Sequence, residues 1–394
     1  MTDERRRGFT TRAVHPEPAR LDQEPSSVPI HLASTFRFES SEDYAETIAF
    51  RRPGSTYSRG YGNPTVEAFE RLMADLEGTE AAFGFASGMA AIHTVFTTLA
   101  AGGDRVVAAR ELYGGTYSIA TKLAPRAGVT VDLVDARDPD AVAAAIPGAA
   151  FLYVETIANP TMTVADLETL GALARAAGIP AVVDNTFASP YLCEPARFGF
   201  SHVIHSATKY IGGHHDLIGG VVCTGEAERA ALRATAIDTG GTMSAFDAWL
   251  AMRGLMTLGL RMERHTENAR AIARHLEDHP LIERVHYAGL PSHPDHEVAL
   301  RVLPKGCGGM LSFEVAGGVD GGKAFCDALE LIWVATSLGG SHSLVGHAAS
   351  TTHRQMDPAA RRAAGIADGL VRMSVGLEDV DDLLTDVDAA LGRA

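Results

Sequence analysis

Cysteine is scarce in this sequence, and its spacing does not suggest a disulfide framework or a zinc site. Four cysteines occur in 394 residues, with no CxxC pair, at Cys193, Cys223, Cys307 and Cys326. Disulfide-stapled secreted domains and cysteine-based zinc proteins carry closer, repeated spacings. We therefore expect a reducing, cytoplasmic setting, and we predict no metal site.

Long apolar runs and an excess of positive charge are also missing. A membrane-spanning helix needs about 20 consecutive apolar residues, whereas the longest candidate, 89–101, is shorter and contains His93. The basic start of the chain leads into no apolar stretch typical of a signal peptide. The net charge of −15 disfavours binding to a phosphate backbone. Neither a membrane nor a nucleic acid is an expected partner.

The common nucleotide and hydrolase motifs are absent as well. The sequence has no GxxxxGKS/T loop and no GxGxxG after a strand pattern. Residues 84–88 do not have the spacing of a GxSxG nucleophile elbow, and the His296-Glu297 pair lacks the second histidine of HExxH. The chemistry must come from other residues.

What is present is an alternation of short apolar runs and helical patterns. The runs lie at 105–109, 129–134, 151–154, 181–183, 202–205 and 221–223. One helix is predicted to open at Asn63-Pro64 and stop at Gly78, and another to open at Thr163 and stop at Gly178. This pattern predicts an α/β fold with a large, mostly parallel sheet, in which ligands bind at the carboxyl ends of the strands.

Three parts of the chain are distinguished by their patterns. Residues 1–60 are weakly periodic and rich in proline, which predicts an extended N-terminal arm packed on its own domain or on a neighbouring subunit. Residues 61–255 form the predicted large domain. Residues 256–394 carry strand-like runs at 310–315, 331–336 and 371–375 and a closing amphipathic helix, so a smaller α+β domain is predicted there.

Two side chains follow apolar runs directly and are candidates for catalysis. Lys209 lies in the segment His-Ser-Ala-Thr-Lys after the run ending at Ile204, and it is the only lysine between residues 123 and 304. It could form a Schiff base with a carbonyl cofactor, or it could be a surface lysine. Asp184 ends the run at 181–183 and could pair with a pyridinium nitrogen or cap a helix.

Three further features suit a phosphate, a flat ring and a carboxylate. Gly88 lies where small residues precede an apolar helix, which favours a phosphate site but also describes an ordinary turn. Tyr113 follows the 105–109 run and could stack on a cofactor or pack in the core. Arg372 interrupts an apolar strand pattern and could bind a substrate carboxylate or form a structural ion pair. Pyridoxal phosphate acting on an amino acid explains all five residues together.

Over nearly the whole chain, from about Phe9 to Leu391, the sequence resembles the transsulfuration (Cys/Met metabolism) family of pyridoxal-phosphate enzymes. The shared motifs are Tyr57-Ser58-Arg59, Gly62-Asn63-Pro64-Thr65, Ser87-Gly88-Met89, Leu112-Tyr113-Gly114-Gly115-Thr116, Glu155 with Asn159-Pro160-Thr161, Val183-Asp184-Asn185-Thr186, Ser206-Ala207-Thr208-Lys209-Tyr210, Ser337-Leu338-Gly339-Gly340 and Arg372-Met373-Ser374-Val375-Gly376. The resemblance implies fold type I, the aspartate-aminotransferase-like fold of pyridoxal-phosphate enzymes. It also implies pyridoxal 5'-phosphate as the cofactor and a homotetramer built as a dimer of dimers.

The resemblance also implies roles for individual residues. Lys209, Tyr113 and Asp184 are the implied catalytic residues: the Schiff-base lysine, the ring-stacking tyrosine and the partner of the pyridine nitrogen. Further cofactor-binding residues are implied at Tyr57, Arg59, Ser87, Gly88, Met89, Glu155, Thr186, Ser206 and Thr208, with Tyr57 and Arg59 reaching the phosphate of a neighbouring subunit. Substrate binding is implied at Asn159, Ser337, His342 and Arg372.

The activity implied by the resemblance is that of a carbon–sulfur lyase. It would carry out α,γ-elimination on an L-sulfur amino acid, cystathionine or methionine, and release 2-oxobutyrate, ammonia and a thiol. The alternative is γ-replacement, as in cystathionine γ-synthase or an O-acyl-homoserine sulfhydrylase. Three positions depart from the family patterns: Gly115, where methionine γ-lyases commonly have Cys; His342, where cystathionine enzymes usually have Glu; and His215, where Ser or Gly is more frequent.

Overall fold

The computed structural model of the chain describes residues 7–15, 25–352, 354, 357–363 and 365–393. Within these ranges, seven strands form a large sheet and five form a smaller one. No helix in the described ranges is both long and apolar enough to cross a membrane. The helices are α1 Phe9–Val14, α2 Ser41–Ile48, α3 Pro64–Glu77, α4 Gly88–Leu99, α5 Gly114–Ser118, α6 Ala124–Arg126, α7 Pro139–Ala145, α8 Leu167–Ala177, α9 Ser189–Leu192, α10 Glu226–Thr239, α11 Ala245–Leu255, α12 Leu258–Glu277, α13 His296–Val302, α14 Gly318–Ala328, α15 Pro358–Ala363 and α16 Val380–Leu391.

The large sheet is mostly parallel, as its sequence pattern predicts. Its strands are β1 Ala81–Phe85, β2 Arg105–Ala109, β3 Thr130–Val134, β4 Leu152–Glu155, β5 Ala181–Asp184, β6 His202–His205 and β7 Gly220–Thr224. They are ordered β1-β7-β6-β5-β4-β2-β3, and β7 alone runs antiparallel to its neighbours. The carboxyl ends of β2, β4, β5 and β6 therefore meet at one edge of the sheet. Strand β1 was not predicted, because Ala81–Phe85 includes Gly84 and two alanines rather than a run of large apolar residues.

The smaller sheet is built from the last third of the chain. Its strands are β8 Ile282–His286, β9 Met310–Val315, β10 Trp333–Val334, β11 Leu344–His347 and β12 Leu370–Ser374. They are ordered β10-β11-β12-β9-β8, with β10 and β11 parallel and the other pairs antiparallel. Helices α14 and α16 contact each other, and α14 also packs on β9, β11 and β12. This arrangement places Arg372 on a central strand of the smaller sheet.

The N-terminal segment contains more helix than an extended arm would. Helices α1 and α2 both fall within residues 1–60, while residues 1–6 and 16–24 lie outside the described ranges. Phe9 of α1 packs edge-on against Tyr191, with 5.1 Å between the ring centroids. Hydrogen bonds from Thr65 Oγ1 to the Pro29 carbonyl and from Asn63 Nδ2 to the His31 carbonyl tie the rest of the segment to the start of α3.

The helix predicted to open at Thr163 begins four residues later, at Leu167. Residues 163–165 instead bond to the backbone just after β4, through Ala158 N to Thr163 O at 2.8 Å and Ala165 N to Thr156 O at 3.2 Å. Asp166 then caps α8, because its carboxylate accepts a hydrogen bond from Thr169 N at 3.2 Å. The expected start was wrong because a tertiary bridge competes with the first helical turn. The start at Asn63-Pro64 and the stops at Gly78 and Gly178 are confirmed.

Gly254 allows α11 to lie directly on the backbone that follows Lys209. A Cβ atom at position 254 would overlap the carbonyl oxygens of Ile211 and Gly212. We expect Gly254→Ala to lower the free energy of unfolding by about 2 kcal/mol, because the overpacking cost exceeds the gain of about 1 kcal/mol in helix propensity. Urea unfolding of the protein measures this loss.

A matched control for Gly254→Ala is Gly346→Ala in β11, where the nearest atom to an added Cβ lies 3.9 Å away. We expect that substitution to change stability by less than about 0.5 kcal/mol. Equal stability of the two variants would contradict the close packing of α11 on the Lys209 segment.

Candidate active site

The carboxyl edge of the large sheet brings three acidic or basic side chains together. Glu155 ends β4 and Asp184 ends β5, and the two are paired in register. Strand β6 leads into a compact turn in which Lys209 N donates to Ser206 O at 3.1 Å and Gly213 N donates to Lys209 O at 2.8 Å. Since parallel strands end at a common edge, the strand order brings the turn that holds Lys209 to the same edge of the sheet as these carboxylates.

The amine of Lys209 is half-buried and has a depressed pKa. Its Nζ atom donates a hydrogen bond to Ser337 Oγ at 2.8 Å. Burial, and then the positive charge of Arg372, lower the pKa of Lys209 to about 8. At a pKa of about 8, roughly a tenth of the amine is unprotonated at pH 7, far more than for an ordinary lysine, and the unprotonated form is the nucleophile or base.

Arg372 projects from the smaller sheet toward the same point. Its guanidinium donates to Asn159 Oδ1 at 3.1 Å and to Ser337 O at 3.0 Å. Burial lowers the pKa of Arg372, although nearby Tyr210 and Tyr113 oppose this shift. Ser337 adopts a left-handed backbone conformation, with φ at 84°, an unfavourable geometry for a serine. This strained residue joins Lys209 to Arg372, and the arginine is a suitable partner for a carboxylate.

The buried side chains of Glu155 and Asp184 interact, so that ionisation of Asp184 disfavours ionisation of Glu155. Burial raises the pKa of Glu155 well above its usual range, and the charge of Asp184 raises it further. Burial also raises the pKa of Asp184, while hydrogen bonds from Thr186 and the charge of His205 lower it. The favoured arrangement is a neutral Glu155, which accepts a hydrogen bond from Tyr113 N at 2.6 Å, beside an ionised Asp184. A cation placed next to Asp184 would be stabilised there.

Tyr113 stands at the mouth of this site and is 46% exposed. It directly precedes α5 and packs over Gly115: a Cβ at position 115 would lie 2.6 Å from Tyr113 Cε1 and 2.5 Å from Met89 Sδ. Glycine at this position therefore lets the thioether of Met89 approach the aromatic ring. The exposed ring face is free to stack on a flat ligand.

The N-terminus of α4 meets the turn before Lys209. A Cβ at Gly88 would lie 2.8 Å from Ser206 Cβ, so only glycine permits this approach. Ser87 caps α4 by accepting from Ala90 N at 3.0 Å. Thr186 Oγ1 accepts from Ser206 N at 2.8 Å, whereas Thr208 Oγ1 is engaged with the backbone of Gly219. The helix N-terminus and Ser206 together can hold an anion.

Two of the residues predicted to bind the cofactor, Tyr57 and Arg59, do not contact the Lys209 site of their own chain in any described contact. Tyr57 is 44% exposed, and the Arg59 guanidinium lies 5.7 Å from its ring centroid and donates to the Ile237 carbonyl. None of these described contacts joins either residue to Lys209, Asp184 or Gly88.

His342 occupies the outer side of the site. Its imidazole stacks on Trp333, with 4.3 Å between ring centroids and 17° between planes. Burial is the main cause of the lowered pKa of His215, and the charges of His342 and Lys209 lower it further. These three groups therefore share one region. The stacking partner Trp333 was missed, because a tryptophan in an apolar run reads as core.

Sequence reasoning also missed two groups of supporting residues. Arg261 of α12 donates to Tyr210 O at 2.8 Å and to Gly254 O at 2.7 Å, which holds the turn after Lys209. Glu77 and His205 form a buried pair behind Asp184. The only available signal was a charged residue on the apolar face of a helix, as for Glu77 and Arg261. Among the described residues, no group of three or more His, Cys, Asp or Glu side chains is placed to hold a metal ion.

Comparisons with known proteins point to one family and to several activities within it. A family model described as "Cys/Met metabolism PLP-dependent enzyme" matches residues 10–392. The L-methionine gamma-lyase of Porphyromonas gingivalis is 41% identical over 388 residues, covering 97% of this chain and 96% of that protein. The O-succinylhomoserine sulfhydrylase of Pseudomonas aeruginosa is 41% identical over 381 residues, covering 96% of this chain and 94% of that protein.

The structural comparison agrees with the sequence comparison. The crystal structure of cystathionine gamma-lyase from Lactobacillus plantarum complexed with L-serine superimposes with a TM-score of 0.92 and is 38% identical, covering 98% of this chain and 99% of that one. This likeness confirms the expected fold class. Because the similar proteins carry three different activity names at nearly equal identity, the likeness does not separate elimination from replacement.

Proposed function

Because this chain belongs to the family of Cys/Met metabolism PLP-dependent enzymes, we propose that it catalyses α,γ-elimination of an L-sulfur amino acid. With methionine, the reaction consumes one water and yields methanethiol, ammonia and 2-oxobutyrate. The observation that carries the proposal is the convergence of Lys209 Nζ, Ser337 and the Arg372 guanidinium through bonds of 2.8 and 3.0 Å. An amine with a depressed pKa beside a carboxylate-binding arginine suits an α-amino acid.

The residues present fit pyridoxal phosphate. Gly88 leaves room for Ser206 at the N-terminus of α4, where a phosphate is favoured. Asp184, ionised beside a neutral Glu155, suits a protonated ring nitrogen. Lys209 suits the aldehyde, and the exposed ring of Tyr113 suits the pyridine face. When bound, pyridoxal phosphate supplies an electron sink for negative charge at the substrate Cα and Cβ atoms.

In this reaction, residues of the chain bind the substrate and carry its protons. Arg372 and Asn159 bind the substrate α-carboxylate and so orient the Cα–H bond. The Lys209 amine removes the proton at Cα and afterwards serves as a proton carrier at Cβ. The Tyr113 hydroxyl delivers a proton to the departing sulfur at Cγ. Asp184 keeps a proton on the ring nitrogen.

The outer side of the site supports a substrate without a distal amino group. His342 and Trp333 offer stacked aromatic surface there, and neither has the fixed negative charge that would bind the distal ammonium of cystathionine. This feature favours methionine over cystathionine within the proposed substrate class. Gly115 and Met89 line the neighbouring wall beside Tyr113.

Subunit assembly is part of the proposal. The exposed Tyr57 and its neighbour Arg59 have the chemistry to bind a phosphate, which supports the prediction that they complete the site of a neighbouring subunit in a homotetramer. The cytoplasmic location and the domain limits 1–60, 61–255 and 256–394 stay predictions.

The decisive assay is 2-oxobutyrate release by the purified, cofactor-loaded protein. We expect release from L-methionine or L-cystathionine without any added thiol, with methionine preferred. O-acetyl- and O-succinyl-L-homoserine are tested in parallel, each with and without a thiol. Release from the esters alone, suppressed by a thiol as a new thioether appears, would make the protein a γ-replacement enzyme and overturn the proposal.

A further inference from the structure

A buried acid–base pair lies behind the carboxyl edge of the large sheet. Glu77, the last residue of α3, and His205, the last residue of β6, are 0% and 1% exposed. Glu77 Oε1 lies 2.5 Å from His205 Nε2. Within the described residues, His205 is the one ion-pair partner of Glu77. Burial of such a pair costs free energy unless the geometry is good, so its presence behind a cofactor site calls for a role.

The pair is connected to the residues that present Asp184. Asn185, also fully buried, donates from Nδ2 to Glu77 Oε1 at 3.1 Å and accepts from Thr156 Oγ1 at 2.7 Å. Asn185 directly follows Asp184, and Thr156 directly follows Glu155. Glu77 thus anchors the backbone at the ends of β4, β5 and β6 through one carboxylate oxygen.

The electrostatic surroundings of Asp184 are otherwise unfavourable. Burial disfavours its charge, and Glu155 lies on the paired position of β4. Thr186 offers hydrogen bonds, and His205 on β6 is the group whose positive charge lowers the pKa of Asp184. Burial is the main cause of the raised pKa values of the Cys193 and Cys223 thiols, and the negative charge of Glu77 raises them further. Glu77 and His205 therefore lie together in a buried layer with these two cysteines.

We propose that Glu77 and His205 are positioning residues that orient Asp184 and keep it ionised for the ring nitrogen of pyridoxal phosphate. This inference rests on the role proposed above for Asp184. Glu77 fixes the imidazole through Nε2 and the end of β5 through Asn185, and positive charge on that imidazole would lower the pKa of Asp184. Neither residue contacts substrate.

Two substitutions separate charge from packing. Glu77→Gln removes the negative charge at similar volume. His205→Gln keeps an N–H donor for Glu77 but removes the imidazole charge. The readouts are the dissociation constant of pyridoxal phosphate from the apoprotein and the ¹⁵N chemical shift of the ring nitrogen in ¹⁵N-labelled cofactor, measured by solid-state NMR. We expect both variants to bind the cofactor at least about tenfold more weakly, the effect of one pKa unit, and to move the shift toward the unprotonated value.

A matched control is available in the smaller sheet. His286 Nε2 and Glu314 Oε1 lie 2.7 Å apart, and the two side chains are 11% and 17% exposed. Glu314→Gln removes a carboxylate charge from a histidine pair, as Glu77→Gln does, but in the smaller sheet. It should leave both readouts unchanged. Should Glu77→Gln fail to fold, His205→Gln decides the question.

The outcomes distinguish this inference from the proposed function. The inference would be overturned if the ring nitrogen were protonated in both His205→Gln and the unaltered protein and the cofactor affinity did not change. The pair would then have only a structural role. An unprotonated ring nitrogen in the unaltered protein would overturn the role of Asp184 as well. A failed 2-oxobutyrate assay with the expected NMR shifts would overturn only the proposed reaction.

Discussion

Lys209→Ala is expected to lower kcat/KM for 2-oxobutyrate release by at least about a thousandfold. The amine is the proposed acid–base group, and loss of one such group typically removes two to four orders of magnitude in rate. It is also the proposed attachment point for the cofactor. Steady-state release from the preferred thioether substrate measures the effect, and the visible absorption of the bound cofactor should be lost with it.

The matched control is Lys305→Ala. Lys305 is also partly buried, with its Nζ 4.4 Å from the Tyr191 ring centroid and its pKa lowered by burial, but it has no proposed part in the reaction. It should retain both turnover and absorption. Substantial turnover in Lys209→Ala would exclude the lysine as the proton carrier.

A depressed amine pKa also predicts how fast the cofactor combines with the apoprotein. Only the unprotonated amine attacks an aldehyde. Because burial and Arg372 lower the pKa of Lys209 to about 8, the rate should rise as pH increases and level off above about pH 8. Stopped-flow mixing of apoprotein with pyridoxal phosphate follows this rate. A rate still climbing beyond pH 10 would indicate an ordinary, exposed lysine.

Arg372→Lys is expected to raise KM for the thioether substrate by about 10–100-fold. The guanidinium presents two donors in one plane, oriented by Asn159 Oδ1 at 3.1 Å and Ser337 O at 3.0 Å. Lysine keeps the positive charge but cannot offer this planar pair, and charged hydrogen bonds are worth about 1.5–3 kcal/mol each. Initial rates across a range of substrate concentrations give KM and kcat separately.

Arg361→Lys is the control for Arg372→Lys. Arg361 is also a buried arginine, 6% exposed, but it pairs with Asp368 rather than facing Lys209. KM should stay unchanged in that variant. An unchanged KM together with a reduced kcat in Arg372→Lys would contradict carboxylate binding and would suggest that the arginine acts on Lys209 instead.

Much of the large domain follows from local patterns in the sequence. The runs at 105–109 and 202–205 match β2 and β6 residue for residue, and Asn63-Pro64 starts α3 as predicted. These features are readable because burial on both faces favours unbroken apolar strands and because capping chemistry is local. Because they directly follow predicted strands, Lys209 and Asp184 could be identified as candidates from the sequence. The resemblance then added Ser337 and Asn159.

The positions where sequence reasoning fell short all depend on contacts between distant segments. Thr163 does not start α8, because residues 163–165 bond to the strand exit at 156–158. Strand β1 is short and rich in small residues, and it exists because β7 pairs with it along its whole length. Glu77 lies at helical spacing from the apolar residues of α3, but only the tertiary structure shows that it is completely buried against His205.

The sequence by itself determined which chemical groups are available. They are a lysine after one predicted strand, an aspartate at the end of another, a glycine before a helix and an arginine within a strand. Tertiary structure decided which of them act on one another. It brought Ser337 to Lys209 across 128 residues and Arg372 to Asn159 across 213. It also placed His205 near Asp184, where positive charge on the imidazole would lower the pKa of the carboxyl group. Periodicity reports only which face of an element is buried, whereas pKa and charge pairing depend on what is packed against that face.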